Sequence, residues 1–223
     1  MSDQIPTTIN FQQSFKAALA NTDASKRLDA LLNIAQGSLS FLDTIQLDKA
    51  VERTLNETTS DLMRVRVAVL ASCTIDHLLP AIRVAGLGRG LLIEVYAGAF
   101  GQYRQELLDP GTKLKEFKPD IILLSLTSHE MMAGIPLSAS SDEVEKATSQ
   151  AIAELRELWK VAHGNFNAAV IQQSFLDVSE PLFGNHDQFV PGSPAYLSNC
   201  LNNKLANIAS QEGVMLLDVT RAS

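Results

Sequence analysis

Short apolar runs alternate with amphipathic segments from Val65 to Val219, and this alternation most strongly constrains how the chain can fold. The runs are rich in β-branched residues, which is typical of strands buried on both faces of a parallel sheet. The segments between them carry apolar residues at helical spacing, so parallel strands can be joined through helices. The predicted strands are Val65–Ala71, Leu91–Tyr96, Ile121–Leu126, Ala168–Gln172 and Val214–Val219.

We therefore predict an α/β fold with a doubly wound, five-stranded parallel sheet of flavodoxin-like layering. Before the first strand, apolar periodicity and capping residues predict three helices, the first from Phe11, the second capped by Asp23 or Ser25, and the third from Ser40 or Phe41. We expect residues 1–62 to form a helical segment packed on the sheet domain. Residues 63–223 are expected to form that domain, truncated at its C-terminal end.

Composition limits where in the cell this protein can work and what it can bind. The formal net charge is −7 and no basic cluster stands out, which argues against nucleic acid as a partner. No apolar run is long enough to cross a bilayer, and the N-terminus lacks a signal-peptide pattern. The two cysteines, Cys73 and Cys200, indicate neither a disulfide framework nor a metal site. These features predict a cytoplasmic protein that binds neither nucleic acid nor membrane.

Residues capable of chemistry follow the first strand directly. Ser72, Cys73 and Thr74 occupy the turn, and a helix is expected to begin at Thr74–Asp76. Ligands bind at the carboxyl ends of strands in open parallel sheets, so this turn is the predicted functional centre. A thiol at a helix N-terminus is a good acyl carrier because the helix end stabilises the thiolate. A helix cap with a buried cysteine beside it explains the same residues.

Further candidates follow the second strand. Gly98 and Gly101 flank a turn in which backbone amides could face an anion. Gln102 and Tyr103 come next and could contact a ligand. Simple turn geometry and the start of a helix explain these four residues equally well.

A third group follows the later strands. Ser128 and His129 come after the third strand, and Asn185 lies in the long loop after the fourth. His129 could donate a hydrogen bond or act as a base, because imidazole titrates near neutral pH. A solvated loop histidine and a polar turn are the alternatives.

The positions of these candidates resemble the motifs of SGNH, or GDSL, hydrolases. In that family a serine nucleophile follows the first strand, a glycine the second and a Gly-x-Asn-Asp motif the third. The resemblance places Cys73 at the nucleophile position, or Ser72 if the register differs by one residue. Residues 127–130 replace Gly-x-Asn-Asp, and no histidine follows Asp218 to complete the family's Asp-x-x-His motif. A serine hydrolase needs a base, for which His129 and His186 are the substitutes.

Three strings carry a more specific resemblance: V-A-V-L-A-S-C-T-I-D-H-L-L-P, F-G-Q-Y-R-Q-E-L-L-D-P and P-G-S-P-A-Y-L-S-N-C-L-N. They are similar to the N-terminal domain of FkbH-like proteins, which join an SGNH-like domain to a phosphatase domain of the haloacid dehalogenase (HAD) type, subfamily IIIC. This resemblance implies loading of a glyceryl group from bisphosphoglycerate onto a carrier-protein thiol, with loss of phosphate, for polyketide biosynthesis.

The same resemblance implies the partners and cofactors. The partners would be an acyl carrier protein or a C-terminal HAD-type phosphatase domain. No cofactor is expected in this chain, which contains no D-x-D-x-T motif, and Mg²⁺ is expected only in the absent HAD-type domain. Three functions stay open: transfer of a glyceryl or acyl thioester, docking by a catalytically degenerate domain, and hydrolysis of small esters.

Overall fold

The computed structural model describes residues 11–109 and 111–220. The helices are Phe11–Leu19 (α1), Ala24–Ala35 (α2), Phe41–Leu55 (α3), Leu79–Leu87 (α4), Tyr103–Leu108 (α5), Lys113–Phe117 (α6), Ser128–Met131 (α7), Ser141–Phe166 (α8) and Pro194–Glu212 (α9), with a short 3-10 helix at Gly184–Phe189. The strands are Met63–Ala71 (β1), Leu91–Ala97 (β2), Ile121–Ser125 (β3), Ala169–Gln173 (β4) and Met215–Leu217 (β5). Within the described ranges, no helix is both long and apolar enough to cross a membrane.

The strands form one sheet in the order β2-β1-β3-β4-β5. This is the order of flavodoxin-like doubly wound sheets, and the predicted five-stranded parallel sheet is confirmed. The register places Ala71, the last residue of β1, beside Ser125, the last residue of β3. In sheets of this order the connections run in opposite directions from β1 and β3, so their carboxyl ends flank the ligand-binding crevice.

The chain divides into two compact units. The first comprises the described residues up to Val65 together with Ile75–Val95, and the second comprises Arg66–Thr74 and the residues from Tyr96 onwards. The sequence-based boundary lies between residues 62 and 63, and residues 1–10 of the predicted helical segment fall outside the described residues. Every candidate residue named above belongs to the second unit.

In the first unit, α1, α2 and α3 pack together and α3 packs on α4. Asp23 and Ser40 accept hydrogen bonds from backbone amides at the starts of α2 and α3, so of the alternatives the sequence offered, these two are the caps. Asp48 on α3 accepts two hydrogen bonds from Arg83 on α4, at 2.8 and 2.6 Å. The carboxylate that α3 buries is therefore paired with a cation.

In the second unit, the long helix α8 packs against α5, α9 and β4. It begins with a capping box between Ser140 and Glu143. Gly213 ends α9 in a left-handed conformation, with φ 69°, as helix C-termini commonly require. The fully buried side chains around these helices include Leu107, Leu124, Leu126, Leu155, Phe175 and Leu201.

The helix after β1 begins later than the sequence suggests, and the prediction of a start at Thr74–Asp76 is wrong. Helix α4 begins at Leu79, and its N-cap residue, Leu78, makes no side-chain cap. Pro80 lies in the first turn, where its fixed φ and missing N–H suit a helix start. Cys73 therefore lies six residues before the helix, in a turn, and not at a helix N-terminus.

Candidate functional site

The candidate site is built where β1 and β3 end side by side. Ser72, the first residue after β1, is 8% exposed, and its amide donates to the Ser125 carbonyl at 3.2 Å. Its hydroxyl donates to Thr127 Oγ1 at 3.2 Å and accepts a hydrogen bond from the Thr127 amide at 2.8 Å. These bonds tie the turn after β1 to the segment after β3, at the crevice that this sheet order predicts.

Thr127 also begins α7. Its hydroxyl accepts a hydrogen bond from the Glu130 amide at 3.4 Å, which caps this short helix. Ser128 is buried, and its Oγ accepts a hydrogen bond from the Ser198 hydroxyl at 2.8 Å, which ties α7 to α9. His129 is exposed. Ser128 therefore serves packing, whereas the imidazole of His129 is accessible to a ligand.

Cys73 follows Ser72 directly, and its thiol is free and partly exposed. The two candidate nucleophiles therefore differ, because the neighbouring hydroxyl of Ser72 is drawn into two hydrogen bonds with Thr127. Ser72 and Thr127 are hydrogen-bonded to each other, Cys73 follows Ser72 directly, and His129 lies two residues after Thr127. Thr74, the next residue, is exposed.

The turn after β2 uses its glycine amides internally. The Gly98 amide donates to the Val69 carbonyl at 2.9 Å, and the Gly101 amide donates to the Ala71 carbonyl at 3.1 Å. Both amides are engaged on β1, so they do not form the anion-binding pair expected from the sequence. Gly101 has φ 67°, a conformation that favours glycine. A Cβ on Gly98 would lie 2.7 Å from Leu70 Cδ2, so close packing explains this glycine.

Gln102 and Tyr103 have different surroundings. Gln102 is exposed at the N-cap position of α5. Tyr103 is 0% exposed, so the structure moves it from ligand contact to the core. Its hydroxyl has no hydrogen bond of good geometry among the described residues. Burial, and then the nearby Glu130 carboxylate, raise the pKa of this phenol, so it stays protonated.

An ion-pair network that the sequence did not predict lies beside Tyr103. The Arg104 guanidinium carbon is 4.8 Å from the centre of the Tyr103 ring. Arg104 Nη1 lies 3.4 Å from Glu130 Oε1 on α7, and the same guanidinium forms an ion pair with Glu154 on α8. The sequence around Arg104 did not indicate these ion pairs, because its partners are distant in sequence. The Thr127-x-x-Glu130 spacing is a capping-box pattern, and it could have revealed α7.

The loop after β4 is organised by Asp187. Asn185 is exposed on the 3-10 helix. Asp187 is buried, and its carboxylate accepts hydrogen bonds from the amides of Leu182 and Phe183 at 3.0 and 2.7 Å. Its carbonyl accepts a hydrogen bond from the buried Ser193 hydroxyl at 2.6 Å. The order of this loop therefore comes from Asp187 and Ser193, and Asn185 is left at the surface.

The residues of the site do not fit a metal centre. In the described ranges, no group of three or more His, Cys, Asp or Glu side chains could hold a metal ion. The side chains described above offer a thiol, an imidazole and hydroxyl groups.

Replacing Ser72 by alanine tests whether its hydroxyl is structural. We expect the free energy of unfolding to fall by about 1–3 kcal/mol, because the Thr127 amide would lose its acceptor in a partly buried place. Chemical denaturation followed by circular dichroism measures this change. Ser138→Ala, at an exposed position, is the control and should leave stability unchanged within about 0.5 kcal/mol. Equal stability of the two variants would show that the Ser72–Thr127 bonds contribute nothing.

The two thiols should differ in reactivity. Burial, and then the Glu145 carboxylate, raise the pKa of the Cys200 thiol, which lowers its thiolate fraction at neutral pH. We therefore expect iodoacetamide to label Cys73 several-fold faster than Cys200, as measured by peptide mass spectrometry over time. Labelling at equal rates would remove the claim that the turn after β1 presents an accessible thiol.

The comparison with protein families decides where this chain belongs. The model of the FkbH N-terminal domain matches residues 66–222, which is more than half of the chain. The chain belongs to the FkbH N-terminal domain family. The matched region of this FkbH domain contains Cys73, Thr127 and His129, and the predicted likeness to FkbH-like proteins is confirmed. No curated protein shows a significant match to the chain.

A solved structure shares the fold of the FkbH domain. It is the crystal structure of the N-terminal part of the protein BF1531 from Bacteroides fragilis, which contains a phosphatase domain complexed with Mg. The two chains are 21% identical with a TM-score of 0.65, over 83% of this chain and 46% of that chain. This chain therefore spans about half the length of that chain.

Proposed function

We propose that this FkbH domain handles a glyceryl or acyl thioester through Cys73 and passes the group to a carrier-protein thiol. The observation that carries the proposal is the contrast at the β1/β3 crevice: the Ser72 hydroxyl is held by Thr127, whereas the Cys73 thiol is free and partly exposed. A thiol is also the stronger nucleophile near neutral pH. The SGNH-like order of motifs supports the same position, since it assigns the nucleophile to this turn.

The proposed chemistry is an acyl exchange that needs no cofactor in this chain. The Cys73 sulfur attacks the acyl carbon, a carbon–sulfur bond forms, and the bond to the leaving group breaks. The leaving group departs as a thiol from a thioester donor, or as phosphate from an acyl phosphate. A second exchange moves the acyl group to the carrier thiol and restores Cys73.

The proton released by Cys73 needs an acceptor. We assign this role to His129, because Thr127 holds the start of α7 against Ser72 and the imidazole two residues later is exposed. The imidazole would then return the proton to the departing thiol. The Gly98 and Gly101 amides play no part in this scheme because both are engaged on β1.

A second candidate is a catalytically degenerate domain that docks an acyl carrier protein or a HAD-type phosphatase domain. Two observations favour it: α4 begins at Leu79, six residues after Cys73, and the glycine amides are engaged. Any Mg²⁺ would then belong to a phosphatase domain, since the described residues of this chain offer no metal cluster. The ester hydrolase has the least support, because Ser72 bonds to a threonine and not to a histidine.

Intact-mass spectrometry after incubation with an acyl donor tests the proposal. S-glyceryl and S-hexanoyl thioesters of N-acetylcysteamine are suitable donors, and added cysteamine serves as the carrier-thiol mimic. We expect the chain to gain the mass of one acyl group and to lose it when cysteamine is added. No adduct from either donor would leave the docking function as the better account.

A further inference from the structure

A second feature lies next to the proposed site, in the same unit: a pocket of about 280 Å³ beside α7. Helix α7 and the loop after it form one wall, the loop after β4 forms another, and the start of α9 closes it. Useful small-molecule pockets begin at about this size and are lined mainly by apolar groups. The side chains that line it include Ser128, His129, Met132, Ile135, Leu182 and Leu197.

The pocket lining is apolar and almost uncharged. Among the described residues that line it, none is Lys, Arg, Asp or Glu, and His129 is the titratable one. The Ser128 hydroxyl is already bonded to Ser198. A phosphate or carboxylate placed here would lose its hydration without gaining a cation, which is costly. The lining therefore selects an uncharged ligand with an apolar body.

The walls of the pocket are preformed by contacts within the protein, before any ligand binds. A Cβ on Gly192 would lie 2.2 Å from the Pro136 carbonyl oxygen and 2.6 Å from Leu137 Cα, so two loops touch through their backbones. The neighbouring Ser193 is buried and donates to the Asp187 carbonyl at 2.6 Å. The pocket is therefore set by backbone packing and does not need a ligand to form.

We propose that this pocket binds the aliphatic chain of an acyl group, with the acyl carbonyl at the end lined by His129. An apolar cavity of about 150 Å³ can hold benzene, so the space here suits a chain of roughly six carbons. Transfer of the bound acyl group would rest on the proposed function of Cys73. Binding of the aliphatic chain in the pocket does not depend on that function. The pocket thus favours an aliphatic acyl group over a glyceryl group, whose hydroxyls would face apolar walls.

Binding of a thioether that cannot acylate the protein tests this inference. S-hexyl-N-acetylcysteamine is titrated into the full chain by calorimetry, beside its S-(2,3-dihydroxypropyl) counterpart. We expect the hexyl compound to bind about tenfold more tightly, since its chain buries more apolar surface. Equal affinity of the two compounds, or no binding of either at millimolar concentration, would overturn the inference.

Two variants locate the binding. Ala133 lines the pocket and is exposed, so Ala133→Phe should obstruct it and weaken hexyl binding about tenfold. Ala153→Phe adds the same side chain to an exposed position of α8 away from the lining, and should bind as the wild type does. Leu182→Asp, at a position 55% exposed, introduces a charge where folding should tolerate it, and should also weaken binding. Unchanged affinity in both pocket variants would place the ligand elsewhere.

The outcome separates the inference from the proposed function. Binding of the hexyl compound should persist in Cys73→Ser, because the thiol does not line the pocket. If the hexyl compound binds but no acyl adduct forms, the pocket binds aliphatic chains and Cys73 has no catalytic role. If glyceryl and hexanoyl donors acylate Cys73 at equal rates and neither thioether binds, Cys73 is the nucleophile but the pocket does not bind the acyl chain.

Discussion

An acyl donor that adds one acyl group to the wild-type chain is expected to add none to the Cys73→Ser variant. A serine hydroxyl is a poor nucleophile at neutral pH without a base bonded to it. The adjacent Ser72 also shows that a hydroxyl at this edge can be drawn into hydrogen bonds with Thr127. The expected effect is a complete loss of the adduct, measured by intact mass at equal protein concentration.

Cys200→Ser is the matched control for this loss. Cys200 lies on α9, and burial raises the pKa of its thiol, so its removal should leave the adduct unchanged. Circular dichroism of both variants checks that the fold is retained. An adduct that survives in Cys73→Ser and disappears in Cys200→Ser would reverse the assignment.

Adding one methyl group to Gly192 should destabilise the chain strongly. The Cβ would lie 2.2 Å from a backbone oxygen, and backbone cannot move aside as the end of a flexible side chain can. Overpacking of this kind lowers the free energy of unfolding by about 1–3 kcal/mol. Urea denaturation of Gly192→Ala measures the loss.

Gly164→Ala is the control with the opposite expected sign. Gly164 lies in α8, and no atom lies within 4 Å of a Cβ built on it. Alanine in a helix loses less backbone entropy on folding than glycine, so this variant should gain about 0.5–1 kcal/mol. If Gly192→Ala is as stable as Gly164→Ala, the two loops are not in close backbone contact and the pocket wall is adaptable.

The sheet could be predicted from the sequence because its signals are local and repeated. Every strand begins and ends within two residues of its predicted bounds, although β5 is shortened at both ends. Only Met215–Leu217 pair in β5, and all three side chains are exposed, so apolar composition overstated this strand. Helices α6 and α7 were missed because they are short, and α7 is held by long-range bonds from Ser72 and Ser198.

The site was less predictable because its residues also have structural uses. Thr74 and Asp76 are typical of helix caps, but the same residue types favour turns, and a turn is what forms here. Pro80 was the better signal, since proline favours the first turn of a helix. Tyr103 follows a glycine turn, where ligand contact is common, but its burial depends on packing that no local pattern reveals.

Peptide mapping of the acylated chain tests the central claim most directly. Trypsin releases Val67–Arg83, which contains Cys73 and Ser72 but not Cys200. This peptide alone is expected to carry the acyl mass, with fragment ions assigning it to Cys73. Neutral hydroxylamine should remove the group, as it does from a thioester but not readily from an oxygen ester. An acyl group on Ser72, on Cys200 or on no peptide would contradict the account.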